Sequence, residues 1–166
     1  MASQLDLDKA YLRMCVEWAK LSYARRRKVG CLIVKNHQII SDGYNGTPKG
    51  FDNNCEDEIE SKLVTKPIVL HAESNAISKL AKSNNSSEGA TLYVTCSPCF
   101  DCSKLIIQAG IKRVVYCHLY RITNGLDLLK QANIECDFYD INSELSLPHS
   151  ESILHPSSRS QEDRQQ

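Results

Sequence analysis

The second half of the chain alternates short apolar runs with helical segments, and this alternation constrains the fold more than any other feature. Apolar runs of strand composition cover 90–95, 113–117 and 134–139, and the helical segments 98–109 and 125–132 lie between them. Strands separated by helices pair in parallel, because a crossover must return the chain to the same end of the sheet. The pattern therefore predicts parallel strands covered by helices.

The first half of the chain predicts a helix followed by a hairpin. Residues 5–23 are amphipathic, with an apolar stripe made of Leu7, Tyr11, Met14, Trp18 and Leu21. The strand-like runs 29–34 and 38–41 are separated only by a short turn, so they pair antiparallel. With a further helix over 71–82, the prediction is a three-layer α/β/α fold around a five-stranded mixed sheet.

Charge and hydropathy exclude several classes of protein. The 166 residues include 20 Lys+Arg and 20 Asp+Glu, so the formal net charge is zero. A protein that coats a nucleic-acid polymer needs a surplus of basic residues, so no polymeric nucleic acid is expected as a partner. No run approaches the roughly 18 apolar residues of a membrane span, so no membrane association is expected either.

Domain organisation follows from composition. Residues 1–142 carry the apolar periodicity and are expected to form the folded domain. Residues 143–166 are rich in serine and charge, which predicts a disordered or loosely docked tail.

Eight cysteines are present, and the N-terminus has neither the basic nor the apolar region of a secretion signal. Cysteines in such a chain favour a reducing compartment over a disulfide framework, so a cytoplasmic location is expected. Small core residues are predicted at Cys15, Cys31, Cys96, Cys117 and Cys136. Cys55 lies in a long loop and is harder to assign.

Two short motifs carry the chemistry: His-Ala-Glu at 71–73 and Pro-Cys-Phe-Asp-Cys at 98–102. Each is weak alone, since the first is typical of a helix start and the second also occurs in redox pairs. Both fall at predicted helix N-termini, which lower the pKa of a thiol. His71, Cys99 and Cys102 would give Zn²⁺ one imidazole and two thiolates, leaving its fourth position to water, as in catalytic sites.

The presence of Glu73 favours a catalytic zinc site over a structural one. It lies two residues after His71 and can face a water on the metal without ligating the ion, as a proton shuttle must. A structural site would need a fourth ligand and no acid–base group, and a redox pair would need neither His71 nor Glu73. The combined pattern H-x-E…P-C-x-x-C is a recognised signature of zinc nucleobase deaminases.

The sequence resembles the deoxycytidylate (dCMP) deaminases of the cytidine deaminase superfamily over about residues 7–140. The runs that carry the resemblance are VGCLIV at 29–34, GYNGTP at 43–48, HAESNA at 71–76, SPCFDC at 97–102 and CSKLIIQAGIK at 102–112. The zinc motifs are common to the superfamily, whereas the Gly-Tyr-Asn-Gly-X-Pro loop and the His-Ala-Glu-X-Asn-Ala helix start select dCMP deaminases. The resemblance implies one catalytic zinc ion and hydrolysis of dCMP to dUMP and ammonia, which supplies the thymidylate precursor.

The resemblance also implies roles around the base and sugar. Glu73 would move protons from water to N3 of cytosine and then to the departing amine. The Ala72 N–H would bind the base carbonyl, and the Ser97 carbonyl would accept from the amino group. The Asn45 amide would meet the deoxyribose 3′-hydroxyl; alternatively, Asn45 only tolerates a left-handed turn before Gly46.

The 5′-phosphate needs cations or N–H donors. The turn at 25–28, Arg-Arg-Arg-Lys, is either a solvated surface turn or the phosphate site, with Lys28 and Arg26 as the candidate ligands. Tyr120 follows a predicted strand at its carboxyl end, where parallel sheets place ligands. It would stack on the base or contact the phosphate, unless it is an aromatic of the pocket rim.

Regulation and assembly are implied by resemblance alone. Many dCMP deaminases are homohexamers, activated by dCTP with Mg²⁺ and inhibited by dTTP, near the loop that here contains Tyr44, Asn45 and Gly46. Some relatives hold a second, structural zinc through a loop cysteine, but this chain lacks the accompanying ligands and a single zinc is expected. The alternatives are a tRNA adenosine deaminase of the same fold and a non-catalytic zinc module.

Overall fold

The computed structural model describes residues 1–141, so the predicted tail at 143–166 lies outside the described residues. The helices are α1 (Gln4–Ala19), α2 (Ala72–Leu80), α3 (Phe100–Gln108) and α4 (Asn124–Gln131). The strands are β1 (Gly30–Lys35), β2 (Gln38–Tyr44), β3 (Glu56–Ile59), β4 (Lys62–Thr65), β5 (Thr91–Cys96), β6 (Arg113–His118) and β7 (Glu135–Phe138). Within the described residues, no helix is both long and apolar enough to cross a membrane.

Five strands form one mixed sheet in the order β2-β1-β5-β6-β7. Strand β1 is antiparallel to both β2 and β5, whereas β5, β6 and β7 are parallel. Helix α1 packs on one face of this sheet, and α2, α3 and α4 contribute to the core on the other face. The predicted three-layer architecture is confirmed.

Helix α1 is rotated relative to the prediction. Its buried residues are Asp8, Leu12, Cys15 and Ala19, whereas Met14 and Leu21 of the predicted stripe are exposed. The side of α1 that contains Cys15 and Ala19 lies close against the sheet: a side-chain carbon at Gly30 would lie 2.0 Å from the Cys15 carbonyl oxygen and 2.7 Å from the Ala19 nitrogen. The backbone of α1 therefore rests directly on β1.

An ion pair explains why an aspartate faces the core. The buried Asp8 carboxylate accepts two hydrogen bonds from Arg113, at 2.9 and 2.8 Å, and one from the Tyr93 hydroxyl at 2.6 Å. Arg113 also pairs with Asp137 at 2.6 Å. This network fastens α1 across the strands β5, β6 and β7.

The long loop after β2 contains a two-stranded hairpin that the sequence analysis did not predict. Strands β3 and β4 pair antiparallel, with Glu56 opposite Thr65. The turn residues Glu60 and Ser61 both have positive φ, as a two-residue hairpin turn of the type I′ class requires. This hairpin lies beside the pocket described below.

Candidate active site

The predicted metal ligands meet where two helices begin. His71 caps α2 and Cys99 caps α3, each in extended backbone conformation, and Cys102 lies in the first turn of α3. Pro98 precedes the cap rather than opening the helix as predicted. Because α2 and α3 pack on the same face of the sheet, their N-termini bring the three side chains together.

The geometry of this cluster fits zinc. The His71 Nδ1 atom lies 3.4 Å from the sulfurs of both Cys99 and Cys102, and the three ligand atoms all lie within 4.8 Å of one another. Tetrahedral zinc bonds of about 2.3 Å to sulfur and 2.0 Å to nitrogen place such atoms about 3.5 Å apart. It is the only group of three or more metal-ligating side chains within residues 1–141.

Electrostatics favour the ligating form of one thiol. Hydrogen bonds from Cys102 and from His71 lower the pKa of Cys99 to about 4. The same bond between the two thiols, together with burial, raises the pKa of Cys102. A thiolate is the form that binds a metal ion, so the cluster is prepared for a cation.

Glu73 lies in the first turn of α2 and is only 4% exposed. Burial raises its pKa to about 7, which lets the carboxyl both accept and donate a proton near neutral pH.

The close approach of α2 to the sheet depends on Gly43, where a side-chain carbon would lie 2.2 Å from the Ala72 carbonyl oxygen.

A pocket of about 370 Å³ opens over the cluster. Its lining includes the predicted residues His71, Ala72, Glu73, Cys99, Ser97, Asn45, Tyr120 and Arg26. Three charged residues that the sequence analysis did not select also line it: Arg27, Arg121 and Glu56. Its lining thus joins an acid–base carboxyl and a metal cluster to three guanidinium groups.

Asn45 has a structural role that the sequence analysis did not anticipate. Its Oδ1 accepts from the Val29 N–H at 2.8 Å, and its Nδ2 donates to the Arg27 carbonyl at 2.8 Å. Asn45 is not among the described residues with positive φ, so tolerance of a left-handed turn does not explain it. The side chain fixes the end of the basic turn at the pocket.

The remaining predicted residues lie at or near the pocket. Ser97 is buried, and its hydroxyl accepts from the Tyr120 N–H at 2.7 Å, which holds Tyr120 at the pocket wall. Lys28 is exposed and is not among the lining residues. Tyr44 and Gly46 lie beside the pocket. The Tyr44 carbonyl accepts a hydrogen bond from the Asn75 side chain, and Gly46 pairs with Leu70, the residue directly before His71.

The missed arginines have signals in the sequence. Arg27 belongs to the same basic turn as Lys28, and Arg121 follows Tyr120 directly, beyond the carboxyl end of β6. The guanidinium of Arg121 lies 5.8 Å from the centre of the Tyr120 ring. Glu56 had no such signal, because the hairpin that carries it was not predicted.

The other cysteines are free thiols. Cys15, Cys31 and Cys117 are buried in the core, and Cys136 is partly buried. Cys96 is buried but also lines the pocket, where Arg27 lies 3.1 Å from its sulfur. Cys55 is buried directly before β3 and belongs to no metal-ligating group among the described residues.

Known proteins are similar to this chain in sequence and in fold. The deoxycytidylate deaminase of Enterobacteria phage T4 is 38% identical over 81% of this chain and 88% of its own length. The human deoxycytidylate deaminase is 43% identical over 68% of this chain and 65% of its own. The crystal structure of the cyanophage S-TIM5 dCMP deaminase in complex with dCMP and dUMP is 45% identical, with a TM-score of 0.78 over 83% of this chain and 100% of that one.

A family model gives the same result. The model described as the cytidine and deoxycytidylate deaminase zinc-binding region matches residues 5–118, which include both helix N-termini of the metal cluster. The chain therefore belongs to the cytidine and deoxycytidylate deaminase family of zinc-binding proteins.

Proposed function

We propose that the protein hydrolyses dCMP to dUMP and ammonia. One observation carries the proposal: a His/Cys/Cys cluster and the buried carboxyl of Glu73 share a pocket with three arginines. The first two features suit nucleobase deamination, and the arginines suit a phosphate on the substrate. The phage and human relatives named deoxycytidylate deaminase support the same substrate.

In this proposal, His71, Cys99 and Cys102 hold one zinc ion. When bound, zinc supplies the Lewis acidity that makes water a nucleophile near neutral pH. Glu73 takes up a proton from the water and delivers it to N3 of cytosine while oxygen bonds to C4. Glu73 then takes the proton of the new C4 hydroxyl and passes it to the amine, so that C4=O forms, the C4–N bond breaks and ammonia leaves dUMP.

Other residues orient the nucleotide. The Ala72 N–H lies at the start of α2, whose N-cap makes no side-chain capping bond, and we assign it to the base carbonyl. The Ser97 carbonyl accepts from the amino group. Asn45 contacts the deoxyribose 3′-hydroxyl with the hydrogen-bonding capacity that the basic turn leaves unused. Arg26, Arg27 and Arg121 bind the phosphate, and Tyr120 packs on the nucleotide.

We further propose the regulation that the resemblance implies. Activation by dCTP with Mg²⁺ and inhibition by dTTP would act through Tyr44, Asn45 and Gly46. Hydrogen bonds support this coupling, since the loop contacts the basic turn through Asn45 and the segment before His71 through Gly46. Saturation curves for dCMP with and without dCTP test it, and identical curves would reject it.

The assembly and compartment are also proposals. A homohexamer would cover some of the exposed apolar side chains, among them Leu21, Tyr23 and Leu119. Light scattering of the purified protein gives the stoichiometry. Eight free cysteines support a reducing compartment such as the cytoplasm.

Ammonia release from four substrates tests the proposed function: dCMP, deoxycytidine, CMP and tRNA. The proposal predicts that dCMP is turned over with the highest kcat/KM. Preference for tRNA would favour the adenosine deaminase alternative, and no turnover of any substrate despite bound zinc would favour a non-catalytic zinc module.

A further inference from the structure

The basic turn at 25–28 has no regular secondary structure, although it supplies two of the arginines at the pocket. An irregular segment loses conformational entropy when it is ordered, so side chains that it presents are positioned only if its backbone is fixed. Asn45 fixes the end of the turn, through the Arg27 carbonyl and the Val29 N–H. The start of the turn needs a separate anchor.

Glu56 lies at that start. Its carboxylate accepts from the Arg25 N–H through both oxygens, at 3.1 Å, and from the Arg26 N–H at 3.2 Å. The side chain comes from the first position of β3 and is 1% exposed. Hydrogen bonds from backbone N–H groups to a carboxylate are charge-assisted and stronger than neutral ones.

The β3–β4 hairpin holds the same turn at a second, adjacent point. Arg26 donates through Nη1 to the Thr65 hydroxyl at 3.1 Å, and Thr65 is the strand partner of Glu56. Arg25 in turn donates through Nη2 to the Glu56 carbonyl at 3.4 Å. Two paired positions of one hairpin therefore contact two successive residues of the basic turn.

We propose that Glu56 is the positioning residue of the phosphate site: it fixes the backbone of Arg25 and Arg26, so that Arg26 and Arg27 are presented to the 5′-phosphate of the substrate. This inference rests on the proposed function, because it takes a nucleoside monophosphate as the substrate. Glu56 acts through the turn and takes no part in the bond changes at C4. Its loss therefore affects the phosphate and spares the chemistry.

The test compares Glu56→Gln with Glu58→Gln, which lies two residues along the same strand and is exposed. Glu56→Gln keeps the side-chain volume but presents an N–H₂ group to one of the backbone donors. We expect its KM for dCMP to rise about tenfold, the loss typical of a weakened charge-assisted contact, with kcat unchanged. Deoxycytidine has no phosphate, so its kcat/KM should stay at the wild-type value, and Glu58→Gln should match wild type throughout.

Other outcomes overturn the inference. An equal loss with dCMP and deoxycytidine would indicate a general structural role for Glu56, and unchanged kinetics with both would indicate no role. Glu56→Asp keeps the charge with a shorter reach; an intermediate KM for dCMP would support the inference, and a KM equal to wild type would contradict it. A wild-type protein that does not deaminate dCMP would overturn the proposed function itself, and this inference with it.

Discussion

Gly125 sits where helix α4 touches the metal cluster, and replacing it with alanine should disturb that cluster. Gly125 is the second residue of α4 and is buried. A side-chain carbon there would lie 2.3 Å from the Pro98 carbonyl oxygen and 2.8 Å from the Cys99 carbonyl carbon. The neighbouring atoms belong to the backbone, so they cannot move aside by changing a rotamer.

The size of the effect follows from these distances. Ordinary contact begins at 3.4 Å, so α4 and the Pro98–Cys99 backbone must part by about 1 Å. Metal–ligand distances tolerate only about 0.2 Å, so Cys99 would leave its ligating position and zinc affinity should fall at least about tenfold. Overpacking lowers the free energy of unfolding by about 1–3 kcal/mol, while replacing glycine with alanine in a helix raises it by up to about 1 kcal/mol. A net loss near 1 kcal/mol should lower Tm by about 4 °C.

Zinc competition with a chromogenic chelator measures the affinity, and thermal melting measures the stability. The matched control is Gly46→Ala, since no atom lies within 4 Å of a side-chain carbon at Gly46. Gly125→Ala should lose zinc more readily than both wild type and this control. If Gly125→Ala kept wild-type zinc affinity and an unchanged or higher Tm, the contact between α4 and the Pro98–Cys99 backbone would not control the position of Cys99.

Three further predictions follow from other contacts. Burial alone raises the pKa of Asp8, but hydrogen bonds from Arg113 and Tyr93 outweigh it and hold the pKa below the ordinary 3.8. The stability that this network contributes is therefore complete above about pH 5 and is lost as the pH falls through 3.8 toward the lowered pKa of Asp8. Asp8→Asn should lower the free energy of unfolding by about 3 kcal/mol at neutral pH. In denaturant titrations, the free energy of unfolding of this variant should also fall less steeply with decreasing pH than that of wild type. Asn45→Ala removes two bonds to the basic turn, so kcat/KM for dCMP should fall about thirtyfold, and a wild-type value would contradict that role. Chelation should abolish deamination and lower Tm, and added zinc should restore both. The Tm should change because an ion that binds only the folded state stabilises it. Retention of activity after complete zinc removal would count against the metal site.

The sequence predicts the elements that carry the metal site because their signals are local. The alternation of strands and helices from residue 90 onward specifies the parallel half of the sheet, and the motifs at 71–73 and 98–102 place His71 and Cys99 at helix starts. Gly110 follows the segment 98–109 that is predicted as a helix, and its φ of 72° after the C-cap of α3 is typical of a residue that ends a helix.

The features that the sequence analysis missed depend on distant contacts. The face of α1 was misassigned because burial of Asp8 depends on Arg113, which follows 105 positions later. The β3–β4 hairpin is charged on both faces and turns at Glu60 and Ser61, without the glycine that usually marks such a turn. Without that hairpin, Glu56 could not be placed at the pocket. The choice of Arg27 over Lys28 depends on other distant contacts, from Cys96 to the Arg27 guanidinium and from Asn45 to the Arg27 carbonyl.

Catalysis by Glu73 beside the zinc site is tested by the rate of dUMP and ammonia formation from dCMP in Glu73→Gln, with the zinc content of the same sample measured by mass spectrometry. The buried carboxyl of Glu73 is proposed to move protons without ligating the ion. Glu73→Gln should hold one zinc ion per chain, as should wild type and the exposed control Glu58→Gln, while its rate of deamination should fall at least about a thousandfold. A Glu73→Gln protein that retains both zinc and near wild-type deamination would show that Glu73 does not carry the proton transfer.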